Sequence, residues 1–235
     1  MKKLMFGLLL FLGNPLLYAA DTFPPPFTAE YTLYAKGFPM GDGTRSLIHL
    51  PGGQFIFESI GETSGLVSFF KKIRLEERTE FTQTNGKIRP LKYTYRQTGH
   101  KPRLNIVSFD WDNQLAKNTF KGEVKEIPLE EGTLDSLLYQ VALMQELKQG
   151  KRQLEYKVAR KGKISVYKPK LVGTELIETG MGQLETLKYE HLSSNQKRRT
   201  ILWCAPKLHY LPVQVQHIES DGDVFSMILE SVKGL

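Results

Sequence analysis

Gly132-Thr133-Leu134-Asp135-Ser136-Leu137-Leu138-Tyr139-Gln140-Val141-Ala142-Leu143-Met144-Gln145-Glu146-Leu147-Lys148-Gln149-Gly150 is the one stretch outside the extreme N-terminus that reads as a long helix. Thr133 suits an N-cap, and Asp135 sits where the helix dipole favours an anion. Lys148 lies in the last turn, and Gly150 suits a left-handed C-terminal cap. Leu134, Leu137, Leu138, Val141 and Met144 recur at helical spacing. Tyr139, Ala142, Leu143 and Leu147 widen that stripe past half the circumference. A helix so apolar is gripped on more than one side. The expectation is a helix over about 133–149, enclosed by the rest of the chain.

The surroundings alternate as strands. Before the helix these are Phe27–Ala35, then Thr44–Leu50 after a turn over Gly37 to Gly43, and Gln54–Ile60 after the hairpin signal Pro51-Gly52-Gly53. Ile73–Thr82 and Lys87–Thr98 flank an Asn85-Gly86 turn, and Arg103–Trp111 follows. Leu115–Phe120 and Glu123–Ile127 carry weaker patterns. After the helix come Gln153–Arg160, Ile164–Lys170, Leu171–Glu178, Gly182–Leu192, Arg198–Ala205, Leu211–Glu219 and Val224–Val232. Strands every ten or so residues with tight turns indicate an antiparallel meander, sandwich or barrel, and no parallel strand–helix–strand rhythm is visible. The fold class expected is mainly β with one central helix: a curved antiparallel sheet, or half-open β-barrel, wrapped around or plugged by that helix. No linker divides residues 27–235, which read as a single domain.

Of 235 residues, 40% are hydrophobic and 11% aromatic, enough for a packed core and unlike a disordered chain. The N-terminus has the layout of a secretory signal: Lys2-Lys3, an apolar run from Leu4 to Leu17 broken at Gly13-Asn14-Pro15, and small residues at Ala19-Ala20. The run falls short of the roughly 20 residues a membrane span needs. Residues 1–19 are therefore expected to be cleaved on export, which would lower the formal charge of +7 to +5 by removing Lys2 and Lys3. Residues 20–26, with Pro24-Pro25-Pro26, form a stiff leader. Cys204, the single cysteine, excludes an intramolecular disulfide and reads as a buried apolar residue rather than a nucleophile.

Little in the chain points to a reaction. His49, His100, His191, His209 and His217 fall into no metal-binding spacing, and no nucleophile elbow, phosphate loop or dinucleotide fingerprint is present. No cofactor and no metal are expected. Asp110-Trp111-Asp112 puts two carboxylates on one strand face, which fits an acid–base pair of a hydrolase or, with more weight, a strand running into an Asx turn. Basic residues cluster over Lys87–Arg103 and Lys148–Lys170. Export argues against nucleic acid, leaving a solvated basic face or contact with anionic envelope components. Gly65-Leu66-Val67-Ser68-Phe69-Phe70 stands apart. It reads either as a strand edge or short buried turn, or as an apolar lip that touches lipid or covers a cavity mouth.

Pro90-Leu91-Lys92-Tyr93, Phe109-Asp110-Trp111, Gly132 to Tyr139, Glu185-Thr186-Leu187-Lys188, and Trp203-Cys204-Ala205-Pro206 with Leu211-Pro212-Val213 occur in that order. The ordered set resembles the exported bacterial family grouped as domain of unknown function 3108, over roughly Phe27 to Val232. The resemblance implies a periplasmic protein of Gram-negative bacteria and no established catalytic residues. At the level of fold alone, a helix packed in a curved sheet is similar to the periplasmic lipoprotein-carrier half-barrels.

The function expected is a non-enzymatic periplasmic protein that binds an apolar or amphiphilic envelope component, as a carrier or chaperone. Tyr93, Phe109, Trp111, Leu138, Val141 and Trp203 would line the site between helix and sheet, with Arg96 at its mouth for an anionic head group. The partner is a lipid or lipoprotein-like amphiphile, with peripheral membrane contact. The alternative is an accessory module that binds an envelope protein through Gly65 to Phe70 or the basic face.

Overall fold

The computed structural model describes residues 23–70, 72–84, 86–193 and 196–235. The expected signal segment, residues 1–19, lies outside them, as does Asn85. Before the long helix the strands are β1 (Phe27–Ala35), β2 (Phe38–Leu50), β3 (Gln54–Thr63), β4 (Ile73–Thr84), β5 (Lys87–Gly99), β6 (Arg103–Asp110), β7 (Leu115–Phe120), β8 (Glu123–Pro128) and β9 (Thr133–Leu134). A six-residue helix, α1 (Gly65–Phe70), connects β3 to β4, and the long helix is α2 (Tyr139–Lys148). Beyond it lie β10 (Tyr156–Arg160), β11 (Lys163–Tyr167), β12 (Lys170–Thr179), β13 (Gly182–Leu192), β14 (Arg199–Ala205), β15 (Leu211–Ile218) and β16 (Val224–Lys233).

Thirteen strands form one antiparallel sheet in the order β12-β13-β14-β15-β16-β1-β2-β3-β4-β5-β6-β7-β8. β1 pairs with β16, so the first strand joins the last and the meanders on either side become one surface. Its edges, β12 and β8, do not pair, and the barrel stays open. A small sheet, β11-β10-β9, lies beside the gap, and the Gly162 amide donates to Asn118 Oδ1 of β7 at 2.7 Å. The hairpin of β12 and β13 folds back over its neighbours, its turn held by Gly180 N donating to the Leu229 carbonyl at 2.9 Å.

The helix is enclosed as its composition demands. Every residue of α2 except Glu146 and Lys148 is buried. Leu137, Leu138, Val141, Leu143, Met144 and Leu147 sit in one core with Phe27, Leu47, Phe57, Phe81, Val107 and Ile127 from inward positions of the sheet. Its C-terminus ends as expected: Gly150 has φ +79°, and the amides of Gly150 and Lys151 return to the carbonyls of Leu147 and Glu146.

Its start differs. The expected helix over 133–149 is ten residues long, because Thr133 and Leu134 form β9, paired parallel with Lys157 and Val158 of β10. Thr133 caps no helix; its Oγ1 accepts the Glu130 amide. Asp135 instead accepts the amides of Leu137 and Leu138 on Oδ1, at 2.8 and 2.9 Å, so these two donors are satisfied by a side chain and a turn precedes α2. β9, α2 and β10 thus form the parallel unit that alternation alone did not show.

Two further expectations change. The turn foreseen over Gly37 to Gly43 shrinks to Lys36-Gly37, and β2 runs through Gly41 and Gly43. A Cβ on Gly43 or Gly61 would lie 3.0 or 3.1 Å from the Leu33 side chain, so these glycines make room for Leu33 inside the curl. The leader is also not a free spacer. Phe23 is buried, its ring 5.0 Å from Phe55 and 6.3 Å from Phe81.

Phe23→Ser should therefore cost about 2–4 kcal/mol in urea unfolding, as for a core aromatic. Gly150→Ala should cost about 1 kcal/mol through its positive φ. An unchanged midpoint for Phe23→Ser would return the leader to solvent.

Candidate functional site: a polar belt above the buried helix

Register fixes what the interior presents. Arg45 of β2 stands beside Ser59 of β3, Glu77 of β4, Tyr95 of β5 and Asn105 of β6 in one transverse row. The next row is Leu47, Phe57, Thr79, Tyr93 and Val107, all buried. Strand alternation puts both rows on the inner face. The apolar row packs on α2; the polar row lies level with the start of that helix.

Here the side chains interlock. Arg45 Nη1 donates to Gln140 Oε1 at 2.7 Å, and its guanidinium lies 5.7 Å from the Tyr31 ring. Tyr93 OH donates to Glu77 Oε1 at 2.6 Å. Thr79 Oγ1 donates to Asp135 Oδ1 at 3.0 Å, tying the helix start to β4. From the small sheet, Arg160 Nη1 donates to Tyr167 OH at 2.6 Å, and the Tyr167 ring packs edge-on to Tyr139 of α2.

Burial raises the Asp135 carboxyl to about 6, although the amides of Leu138 and Leu137 and the Thr79 hydroxyl favour its anion. Burial also raises Glu77, opposed by the Tyr93 hydrogen bond and by the charges of Arg45 and Arg160. Of the five buried side-chain polar atoms without a hydrogen-bond partner among the described residues, two belong to this belt: Arg45 Nε and Asp135 Oδ2. An unmet donor and acceptor in one layer are costly unless something else meets them.

Above the belt the curl is open. Leu33, Leu75, Gln97 and Met227 occupy inward positions yet stay half-exposed, and His217, the inward residue after Val213 and Val215, is exposed. Although solvent reaches it, His217 sits within the concavity of the sheet, where desolvation, then the charge of Arg45, holds the imidazole below its usual range. The space below is closed by α2.

The seven residues assigned from sequence do not share one lining. Tyr93, Phe109, Leu138 and Val141 belong to the packed core beneath the belt, with only the Tyr93 hydroxyl reaching it. Trp111 lies at the opposite end of the sheet, its Nε1 donating to the Pro90 carbonyl and its ring under Arg89. Trp203 donates to Glu175 Oε2 and lies under Lys188, beneath the folded-back hairpin. Arg96 is exposed on the outer face, between the inward Tyr95 and Gln97. The site between helix and sheet is thus filled by side chains, and the polar belt was missed. Its trace in the sequence is a charged residue on the apolar parity of a strand: Arg45 with Leu47, and Glu77 with Thr79 and Phe81.

The other chemical candidates have structural explanations. Asp110 accepts the Asn113 amide and Nδ2, which hold its carboxyl below the usual range and close the turn; Asp112 is exposed beside it. Cys204 is buried, and burial pushes its thiol up. Among the described residues no three His, Cys, Asp or Glu side chains converge as metal ligands would, and no helix is long and apolar enough to cross a membrane.

The family model described as "Protein of unknown function (DUF3108)" matches residues 30–230. The chain belongs to that family. No curated protein matches it. Among solved structures it is similar to a β-barrel-like protein of another domain of unknown function, DUF1849, from Brucella abortus. That likeness has 9% identity and a TM-score of 0.57, over 89% of this chain and 97% of the other, and shows the fold alone. A candidate lipoprotein from Parabacteroides distasonis aligns over 91% of this chain and 98% of its own, at 12% identity and a TM-score of 0.35, too low to carry an argument. The DUF3108 match extends from β1 to β16 and so takes in the whole polar belt.

Asp135 gives the belt a pH signature. Its folded value of about 6 lies above the ordinary 3.8 of an aspartate, so the folded state binds the proton first. Its contribution to stability is full below pH 4 and is lost as pH rises through 6, by roughly 3 kcal/mol at most. Asp135→Asn keeps an acceptor for both amides and carries no charge. Between pH 4 and 7 the wild type should lose stability relative to Asp135→Asn, which cancels the opposite trend from His217. A constant difference between the two proteins would mean the carboxyl is not desolvated.

Proposed function

We propose that this protein is a non-catalytic component of the Gram-negative periplasm that carries or chaperones an amphiphile, taken up in the open half of the curled sheet above α2. The observation that carries this reading is Arg45: a guanidinium only 6% exposed, with Nε unpartnered, on the inner row that ends the apolar core. A buried cation with a free donor suits an anionic or strongly hydrogen-bonding head group. Glu77, Tyr95 and Asn105 beside it add acceptors and donors for the same head. Leu33, Leu75 and Met227 above would flank the apolar part. The resulting site lies one layer higher than the lining assigned from sequence, at Arg45 rather than Arg96. Periplasmic location rests on the N-terminal sequence pattern, and membership of an uncharacterised family is compatible with it.

Native mass spectrometry of the protein purified from the periplasm, followed by solvent extraction, tests this. A bound amphiphile at one per chain is expected, and its occupancy should fall about tenfold or more in Arg45→Lys, which keeps the charge but not the planar donor set. A clean unliganded mass that also refuses added fatty acid and phosphatidylglycerol would exclude a carrier.

A further inference from the structure

Successive antiparallel strands put the connections β1–β2, β3–β4, β5–β6 and β7–β8 at one end of the sheet, the open end. The β3–β4 connection carries α1, foreseen as a strand edge or buried turn in one reading and as an apolar lip in the other. It is a short helix with no buried residue. Leu66, Phe69 and Phe70 are 79%, 84% and 91% exposed, and Phe38 at the start of β2 is 74% exposed. Ser64 N donates to the Met40 carbonyl at 3.1 Å, which anchors the start of α1 to that strand. Four large apolar side chains on adjacent connections are an exposed patch with a purpose other than folding.

Charge is arranged around the patch. Lys72 lies two residues beyond the end of α1, and the His100 amide donates to its carbonyl at 3.1 Å, so the β5–β6 connection with Lys101 lies against it. Arg103 and Lys121, with Leu104 and Phe120, line a hollow of about 240 Å³ between the β5–β6 and β7–β8 connections. Of the acidic groups at this end, Glu62 is held by Arg74 at 2.9 Å and Asp223 by Lys36 at 2.7 Å, while Asp42, Glu123 and Asp221 form no ion pair among the described residues. The outcome is an apolar tip flanked on its β5–β6 side by Lys72 and Lys101, with a hollow lined by Arg103 and Lys121 beside it.

We propose that this end of the protein docks on a bilayer surface containing anionic phospholipid. Leu66, Phe69, Phe70 and Phe38 enter the boundary between head groups and acyl chains. Lys72, Lys101, Arg103 and Lys121 meet the phosphates, and the hollow accommodates one head group. A protein partner fits less well, because cores of protein interfaces are depleted in lysine whereas an anionic membrane attracts it. The proposal goes beyond the carrier reading and stands without it; with it, the open end faces the source of the amphiphile.

The test is flotation of the protein purified from the periplasm with phosphatidylglycerol/phosphatidylcholine vesicles and with pure phosphatidylcholine vesicles. Binding is expected to the first, weakened by salt, and far less to the second. Phe69→Ser with Phe70→Ser should lower the partition by about tenfold or more, with thermal stability unchanged since both rings lie outside the core. Lys72→Gln with Lys101→Gln should cost severalfold on the anionic vesicles and nothing on the neutral ones. The proposal is overturned if neither vesicle floats the wild type, or if the double Phe variant floats like it. Self-association abolished by the Phe substitutions, without flotation, would assign the tip to a second copy and also overturn it. None of these outcomes alters the bound mass, so failure here and failure of the carrier reading are separable.

Discussion

One buried carboxylate settles where the helix of this protein begins. Asp135 Oδ1 accepts the amides of Leu137 and Leu138 and the hydroxyl of Thr79, so a single oxygen joins the entry of α2 to the middle of β4. Because the helix starts there, Gln140 comes level with Arg45, and the buried guanidinium gains an acceptor. Below that level the interior is mostly apolar and filled by α2, with Thr79, Asn118 and Gln145 among its buried polar residues; above it the inward side chains of Leu33, Leu75, Gln97 and Met227 stay half-exposed. The division of the interior into a packed half and an open half thus follows from one polar contact, at the expense of desolvating an acid.

Much of this architecture is legible in the chain. The apolar residues that circle 134–147 do imply an enclosed helix, and Gly150 does end it. Alternation with tight turns gives the antiparallel strands and a sheet curved around a central helix, but not the pairing of β1 with β16 that joins its two halves. The start of the helix is not legible in the same way, since Thr133 and Asp135 both look like cap residues. Only the pairing of Thr133 with Lys157 in β10 shows that the first belongs to a strand. Local pattern cannot weigh a distant strand against a local cap.

The belt was hidden for a related reason. Arg45 and Glu77 lie in their strands among other polar residues, and their inward parity matters only once register brings them into one row. Aromatic residues drew attention instead, and the structure separates them: Phe109 into the core, Trp111 to the far end, Trp203 under the folded-back hairpin. These rings serve packing, whereas the unmet hydrogen-bonding capacity within the belt sits with Arg45 and Asp135. The open end adds a second contrast, since α1 exposes apolar surface that the core does not use.

Whether the belt meets a head group is decided by a crystal structure of the protein as purified from the periplasm. Continuous density is expected between Leu33 and Met227, ending on Arg45, with a ligand atom accepting a hydrogen bond from its Nε. Ordered water alone on Arg45 and Asp135, with side chains closing the space above them, would contradict it and make the belt a structural network.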